Sequence, residues 1–218
     1  MSDPPLAERH VAPGRTRSAL DDVAVRERSD ASRLRLFFAV ELPPDVQTAL
    51  GRLRPSAEWA RDYRWVDPAM MHVTLAFLGE QPASALDALR EVAAAAAGAS
   101  RSGTLAVAAA DRFGGSRAPR VLWVGLAGDL DALMRAQARL AEGLRATGFR
   151  LEDRPFQPHI TLARRRGTPP GPPPPWPPAN RPEQRFRIDH LTLFQSRLSP
   201  AGARYTPLER YPFRAVAT

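Results

Sequence analysis

Short apolar segments alternate with segments of helical pattern along the 218-residue chain. The first apolar segment, 34–42, favours β-structure and ends at a Pro-Pro pair, which predicts a strand. Further strands are predicted over 63–66, 71–79, 104–113, 120–126, 158–164 and 186–198, with a last one in 199–213. Because the strands and helices mix without a regular β-α repeat, this order is typical of an α+β protein with mixed or antiparallel sheets.

Three segments carry the helical pattern. The first, 44–62, is interrupted at Pro55, since proline cannot continue a helix. The second begins at Pro82 and runs to about Gly98, favoured by its many alanines. In the third, Asp129 can cap the N-terminus and Gly148 suits the C-terminal cap.

Two segments depart from this pattern. Residues 1–32 hold scattered charges with little apolar periodicity, which predicts a disordered tail. Segment 167–182, GTPPGPPPPWPPANRP, cannot join a central sheet because of its prolines. It predicts a polyproline-type surface loop, either a simple expansion or a ligand for an SH3-like domain. Residues 33–218 are therefore predicted to form a single domain.

Composition excludes several classes of site. The chain has no cysteine, which rules out disulfides, thiolate metal sites and a cysteine nucleophile. No segment approaches the roughly 20 apolar residues of a membrane span, and the first thirty residues lack the apolar centre of a signal peptide. We therefore expect a cytoplasmic protein without membrane contact.

The net charge is +8, and all 31 basic residues are arginine. A GC-rich genome favours arginine codons, as it favours those of Ala, Pro and Gly, which are also abundant here. A phosphate-bearing polymer as partner would also favour arginine, whose forked donors suit phosphate. Composition does not choose between the two interpretations for individual arginines.

Histidine is rare, yet three of the four histidines begin a His-x-Thr-Leu sequence: HVTL at 72–75, HITL at 159–162 and HLTL at 190–193. Side chains alternate between the two faces of a strand, so His72 and Thr74 share one face while Val73 and Leu75 share the other. The same holds for His159 and Thr161. Two matched halves of the chain, each with a helix and one such strand, would therefore present two His/Thr pairs to a central cleft.

Two imidazoles facing each other can serve as a general base and a general acid, because the pKa of histidine lies near neutrality. Threonine hydroxyls beside them can donate to phosphate oxygens. A single strand histidine is more often an ordinary polar residue, so the inference depends on the pair. A metal site is disfavoured, because neither strand offers a second histidine or a carboxylate beside its histidine.

The sequences HVTLAFLGE and FQPHITLARRR resemble the two signatures of the 2H phosphoesterase superfamily. The similar branch is that of the RNA 2′,3′-cyclic phosphodiesterases, also called 2′-5′ RNA ligases. RLFFAVELP, WVDPAMMHVTLAFLG and LTLFQSRLSPAGARYTPLERYPF extend the resemblance to about 33–213. It implies a bilobal, pseudo-twofold α+β fold in which two sheets flank a central cleft and the helices lie outside.

The resemblance also implies a reaction and its residues. Members open a terminal RNA 2′,3′-cyclic phosphate to a 2′-phosphomonoester, and some join RNA halves through 2′-5′ linkages without ATP. His72 and Thr74 would form one half of the site, and His159 and Thr161 the other. We assign His159 as base and His72 as acid, an order that sequence does not fix and that the reverse reaction exchanges.

The resemblance places Arg164 against the phosphate, although its odd offset from His159 in a regular strand points it away. Phe77 can stack on the terminal base or pack in the core. Arg165 and Arg166 fit a basic rim for the RNA backbone or a solvated loop.

The third copy has no part in this interpretation. A mechanism with two proton transfers leaves no role for His190, which we interpret as incidental, and His10 falls in the tail. We expect no cofactor and no metal, and a monomer whose partner is RNA with a cyclic phosphate end, tRNA fragments being one source. Two alternatives stay open: a non-catalytic nucleotide or RNA-binding module, and a phosphodiesterase for small cyclic nucleotides or ADP-ribose 1″,2″-cyclic phosphate.

Overall fold

The computed structural model describes residues 32–115, 119–167, 176, 184–199 and 202–214. Its strands are β1 (Arg33–Glu41), β2 (Tyr63–Trp65), β3 (His72–Pro82), β4 (Gly103–Phe113), β5 (Val121–Gly128), β6 (His159–Arg165), β7 (Arg185–Ile188), β8 (His190–Ser199) and β9 (Gly202–Pro212). Its helices are α1 (Pro44–Gly51), α2 (Leu86–Gly98) and α3 (Leu130–Ala146), with 3₁₀ turns at Glu58–Asp62, Pro68–Met70 and Ala83–Ala85. The predicted disordered tail and the proline-rich segment lie outside the described residues, except at 32, 167 and 176.

The described strands form one antiparallel sheet in the order β7-β4-β5-β6-β3-β1-β8-β9, with β2 added beside β6. Its two halves meet where β3 and β6 pair through Val73 and Ile160. The predicted α+β architecture with two similar halves is confirmed. The two sheets expected from the sequence are continuous across this one pair.

A pseudo-twofold relation follows from the strand order. β3 and β6 lie at the centre, with β1 beside β3 and β5 beside β6. Along the chain, β1-α1-β3 in one half corresponds to β5-α3-β6 in the other. Each half therefore delivers a His-x-Thr strand to the central position of the sheet.

The segment 186–198 does not form one strand, as the sequence predicts, but two. Asp189 separates β7, which pairs with β4, from β8, which pairs with β1 and β9. These strands lie toward opposite ends of the strand order, so the sheet has to curl for one residue to connect them. Backbone bonds hold the ends together: Phe213 N–H donates to Asp189 O (2.7 Å), and Arg214 N–H donates to Ser100 O (2.9 Å).

The core lies between one face of the sheet and the helices. In β1, Leu36, Phe38 and Val40 belong to the main core, whereas Phe37 and Ala39 form a separate cluster on the other face. Helix α2 contributes Leu89 and helix α3 contributes Leu133, both fully buried in the main core. The second face of β1 is thus set apart for other contacts, as strand alternation requires.

The ends of the helices differ in part from prediction. Asp129 precedes α3, but its carboxylate accepts from Thr104 N–H (2.7 Å) rather than from the helix. Gly148 ends that helix as predicted, at φ +89°, with its N–H donating to Arg145 O. Pro82 closes β3 instead of opening a helix, and α2 begins at Leu86 after a 3₁₀ turn.

Trp176 is the one described residue between 168 and 183, and its side chain belongs to the core. Its side chain is only 3% exposed and packs edge-on against Trp65, with ring centroids 6.2 Å apart. Its indole N–H donates to Asp111 O (2.9 Å), and its carbonyl accepts from the Arg112 guanidinium. Trp176 itself is therefore hydrogen-bonded to β4 at two consecutive residues.

Replacing Gly128 by alanine should lower the free energy of unfolding by about 2 to 5 kcal/mol. Gly128 has φ +88°, and a Cβ there would lie 2.5 Å from the Thr104 carbonyl oxygen. Gly148→Ala is the matched control, because Gly148 has nearly the same φ, +89°, but no atom within 4 Å of a Cβ. It should cost only the conformational penalty, about 1 to 2 kcal/mol. Equal losses in denaturant unfolding would contradict this explanation.

Candidate active site

The two predicted His-x-Thr pairs lie side by side at the centre of the sheet. Val73 lies between His72 and Thr74, Ile160 lies between His159 and Thr161, and Val73 and Ile160 are antiparallel partners. Extending this register by one residue each way places His72 opposite Thr161 and Thr74 opposite His159. Because Val73 and Ile160 are fully buried on the core face, all four polar side chains project to the opposite face, the cleft.

Both imidazoles are held by the same local hydrogen bond. His72 Nδ1 lies 2.8 Å from Met70 O, and His159 Nδ1 lies 2.8 Å from Gln157 O. Since a carbonyl oxygen only accepts, Nδ1 carries the hydrogen in both rings and Nε2 is left for chemistry. In the neutral His72 ring, Nε2 accepts from the Thr74 hydroxyl at 3.1 Å.

A β-bulge follows the His-x-Thr sequence in β3 and in β6, and it determines the orientation of the residue five positions after the histidine. The register of β5 and β6 shifts so that Leu162 has no partner, and Arg164 returns to the face of His159. The register of β1 and β3 shifts in the same way at Leu75, and Phe77 returns to the face of His72. Arg164 and Phe77 are therefore equivalent positions of the two halves, and both face the cleft.

Arg164 acts on both histidines. Burial is the main cause that lowers the pKa of His72 to about 4, and the positive charge of Arg164 adds to it, against the opposing effect of the Met70 hydrogen bond. Burial and then Arg164 likewise lower the pKa of His159, against the Gln157 hydrogen bond. The free protein thus holds both imidazoles neutral near pH 7, with a cation beside them that suits an anionic ligand.

Aromatic rings surround each imidazole and account for much of its burial. The ring of His72 lies 4.9 Å from Phe37 and 5.2 Å from Tyr205, centroid to centroid. The ring of His159 lies 5.0 Å from Phe113 and 5.8 Å from Trp123. The sequence did not single out these four aromatic residues. Only Phe37 could have been found, because it alternates with core residues along β1 and so lies on the polar face.

The third copy shares the cleft face but not the role. His190 and Thr192 lie on β8, in register with Glu41 and Ala39 of β1, which in turn oppose His72 and Thr74. The Thr192 hydroxyl donates to Glu41 (2.7 Å), and His190 contacts Glu41 (3.6 Å) and Asp189 (2.6 Å). This copy is therefore occupied with carboxylates.

Glu41 is the centre of that third cluster. Arg210 donates to both of its carboxylate oxygens, at 2.7 and 2.8 Å. The hydrogen bond from Arg210 is the main cause that lowers the pKa of Glu41 to about 2, against the effect of burial. A carboxylate directly opposite His72 in the register of β1 and β3 is thus neutralised within the cluster. No pattern in the sequence indicated this pairing.

The two arginines after Arg164 differ in position. The guanidinium carbon of Arg165 lies 5.8 Å from the centroid of the Tyr63 ring. Arg165 and Tyr63 are partners in the register of β2 and β6, one position along from Arg164. Arg166 is exposed, and its Nε donates to Tyr63 O at 3.4 Å. Of the two residues predicted as a basic rim, Arg166 is therefore the one open to solvent.

Comparison with known proteins places the chain in a family. Residues 42–199 match the model of the 2′-5′ RNA ligase superfamily. The chain belongs to this superfamily. An RNA 2′,3′-cyclic phosphodiesterase of Thermus thermophilus is 33% identical over 83% of this chain and 91% of its own length. One from Geobacillus stearothermophilus is 37% identical over 61% of this chain, which spans 42% of that protein.

The fold is shared with solved structures of the superfamily. The crystal structure of Escherichia coli LigT complexed with 3′-AMP has a TM-score of 0.69 and 30% identity, covering 84% of this chain and 99% of that one. These matches confirm the predicted family, the fold class and the prediction that the chain is an enzyme. Among the described residues, no cluster of three or more His, Cys, Asp or Glu suits a metal ion, and no described helix is long and apolar enough to span a membrane.

Arg164→Met should raise the pKa of both His72 and His159, because it removes a positive charge that disfavours both imidazolium ions. Both values should stay below 6.5, since burial is the larger cause and is unchanged. NMR titration of the imidazole signals measures this. Arg154→Met is the matched control, because Arg154 is exposed and paired with Glu152. Unchanged histidine pKa values in Arg164→Met would contradict the electrostatic role.

Proposed function

We propose that this protein hydrolyses RNA 2′,3′-cyclic phosphate ends to 2′-phosphomonoesters, by metal-independent acid and base catalysis between His72 and His159. The observation that carries the proposal is the antiparallel Val73–Ile160 pair, which sets the two His/Thr pairs side by side on the cleft face. Two imidazoles whose Nδ1 atoms are anchored to backbone carbonyls, so that Nε2 serves for proton transfer, and a nearby arginine are what opening a cyclic phosphate requires.

The relatives support the same substrate. Members from Thermus thermophilus and Geobacillus stearothermophilus are named RNA 2′,3′-cyclic phosphodiesterases, and LigT has been crystallised with 3′-AMP, a ribonucleotide. The matched region includes both His-x-Thr strands. RNA with a cyclic phosphate end is therefore the partner we propose for this chain, with tRNA fragments as one source.

The reaction needs one proton accepted and one donated. His159 Nε2 takes a proton from water, and the water oxygen attacks phosphorus. The bond from phosphorus to O3′ breaks, and O3′ takes the proton from His72 Nε2, which leaves the phosphate on O2′. Solvent exchange then restores the protonation states of both rings. An RNA 5′-hydroxyl in place of water would give a 2′-5′ linkage, which is the proposed ligation.

The surroundings of the rings support this assignment of the two roles. His159 is the less deeply buried of the two, which favours contact with the attacking water. His72 has the pKa of about 4, so its imidazolium is a strong proton donor once formed. The negative charge of the bound cyclic phosphate raises the pKa of a neighbouring imidazole, which favours the imidazolium form of His72 in the complex.

The other predicted site residues hold the substrate. Thr74 and Thr161 donate hydroxyls to the nonbridging phosphate oxygens, and Arg164 offsets the charge that grows on them. Phe77, 38% exposed on the cleft face, provides a ring on which the terminal base stacks. All these groups come from one chain, so we propose that a monomer is sufficient.

His72→Ala and His159→Ala should each lower the turnover of an oligoribonucleotide ending in a 2′,3′-cyclic phosphate by at least about 100-fold. The assay contains EDTA and identifies the phosphomonoester that forms. His190→Ala is the matched control: it removes a histidine of the same motif that is bound to carboxylates, and it should leave turnover nearly intact.

Three results of that assay would contradict the proposal. Binding of the RNA without turnover by the wild type would favour a non-catalytic RNA-binding module. Turnover of small cyclic nucleotides with none of the oligoribonucleotide would favour the smaller substrate class. Loss of turnover in EDTA would show that a metal takes part.

The pH profile of kcat/KM should be a bell centred on the acid side of pH 6.5. This profile reports the free enzyme, which needs one ring protonated and one neutral, and both pKa values are lowered there. As pH rises, the imidazolium that serves as the acid loses its proton below pH 6.5, so kcat/KM already falls below that pH. The bell for kcat should lie at higher pH, because bound phosphate raises the imidazole pKa values. A kcat/KM limb above pH 7.5 would refute this.

A further inference from the structure

Arg35 lies on the cleft face but has no part in the mechanism above. It alternates with Leu36 of the main core and precedes Phe37, which contacts His72. In the cross-strand register, Phe37 opposes Phe77 on β3 and Phe194 on β8, so these rings form a row beside the first His/Thr pair. Arg35 is therefore the cation at the end of an aromatic row that begins at His72.

The guanidinium of Arg35 lies over the ring of Phe77, with its central carbon 4.7 Å from the ring centroid. A cation–π contact of this kind does not use up the N–H donors of the guanidinium. None of the ion pairs found among the described residues includes Arg35, although Glu80 lies opposite it in the register. A half-buried arginine with free in-plane donors is suited to bidentate contact with a phosphate.

The position of Phe77 indicates which phosphate of an RNA chain Arg35 can reach. If the cyclic phosphate lies between His72 and His159 and the terminal base stacks on Phe77, Arg35 covers one face of that ring and stands beside the same nucleoside. The next phosphate in an RNA chain is the phosphodiester attached to the 5′ side of that nucleoside. Mononucleoside substrates lack it.

We propose that Arg35 binds the phosphodiester on the 5′ side of the terminal nucleotide and makes the enzyme prefer an RNA chain over a nucleoside 2′,3′-cyclic phosphate. This inference rests on the proposed function and adds a specificity residue to it. Phe77 and Arg35 together form a platform in which the ring takes the base and the guanidinium edge takes the backbone.

The test compares kcat/KM for a dinucleotide ending in a 2′,3′-cyclic phosphate with kcat/KM for the corresponding nucleoside 2′,3′-cyclic phosphate. The ratio of the two is measured on one preparation, so a partly unfolded variant does not change it. In Arg35→Ala the ratio should fall about tenfold, the loss of one charge-assisted contact. The salt dependence of the dinucleotide reaction should also weaken, by about 0.7 in the slope of log(kcat/KM) against log salt.

Two further variants sharpen the result. Arg35→Lys keeps the charge but loses the planar fork, and should give an intermediate ratio. Arg90→Ala removes the same charge from an exposed site paired with Asp87 and Glu209, and should keep the wild-type ratio.

Two outcomes would overturn the assignment: a ratio within about twofold of wild type in Arg35→Ala, or an equal fall in Arg90→Ala. Failure of the wild type to turn over either substrate would count against the proposed function instead. The same comparison then uses affinities for a dinucleotide 2′-phosphate and a nucleoside 2′-phosphate. An Arg35→Ala effect confined to the dinucleotide would support the assignment, and equal effects would overturn it.

Discussion

The structure depends on one antiparallel contact between two strands. Val73 and Ile160 join the halves of the sheet, and both are fully buried. Since neighbouring side chains alternate faces, burying these two residues forces the flanking histidines and threonines onto the cleft face. A shift of one residue in either strand would turn its His/Thr pair into the core. The core contact and the geometry of the site are thus one constraint.

The same burial that fixes the site also sets its electrostatics. Aromatic rings close around each imidazole, and desolvation is the largest cause of both lowered pKa values. Arg164 adds a positive charge that further disfavours imidazolium. Both histidines are therefore uncharged near pH 7 in the free protein, and in the proposed reaction the charge of the bound phosphate is what favours an imidazolium.

The third His-x-Thr sequence shows how context assigns a role to a motif. It lies on the same face of the sheet as the first copy, but the imidazole of His190 contacts the carboxylates of Glu41 and Asp189. Arg210 in turn neutralises Glu41. The cluster therefore joins β1, β8 and β9. Arg210 neutralises a carboxylate on the cleft face, where its charge would disfavour an anionic ligand.

Sequence by itself determined most of the elements and the polar face of the two central strands, because strand alternation and the repeated His-x-Thr-Leu depend only on neighbours along the chain. It also placed His72, Thr74, His159 and Thr161 on common faces. Tertiary structure decided the features that depend on pairing between strands distant in sequence. The bulges that turn Arg164 and Phe77 toward the cleft, the break at Asp189 and the carboxylates around His190 all arise from the register between strands distant in sequence, which no local pattern encodes.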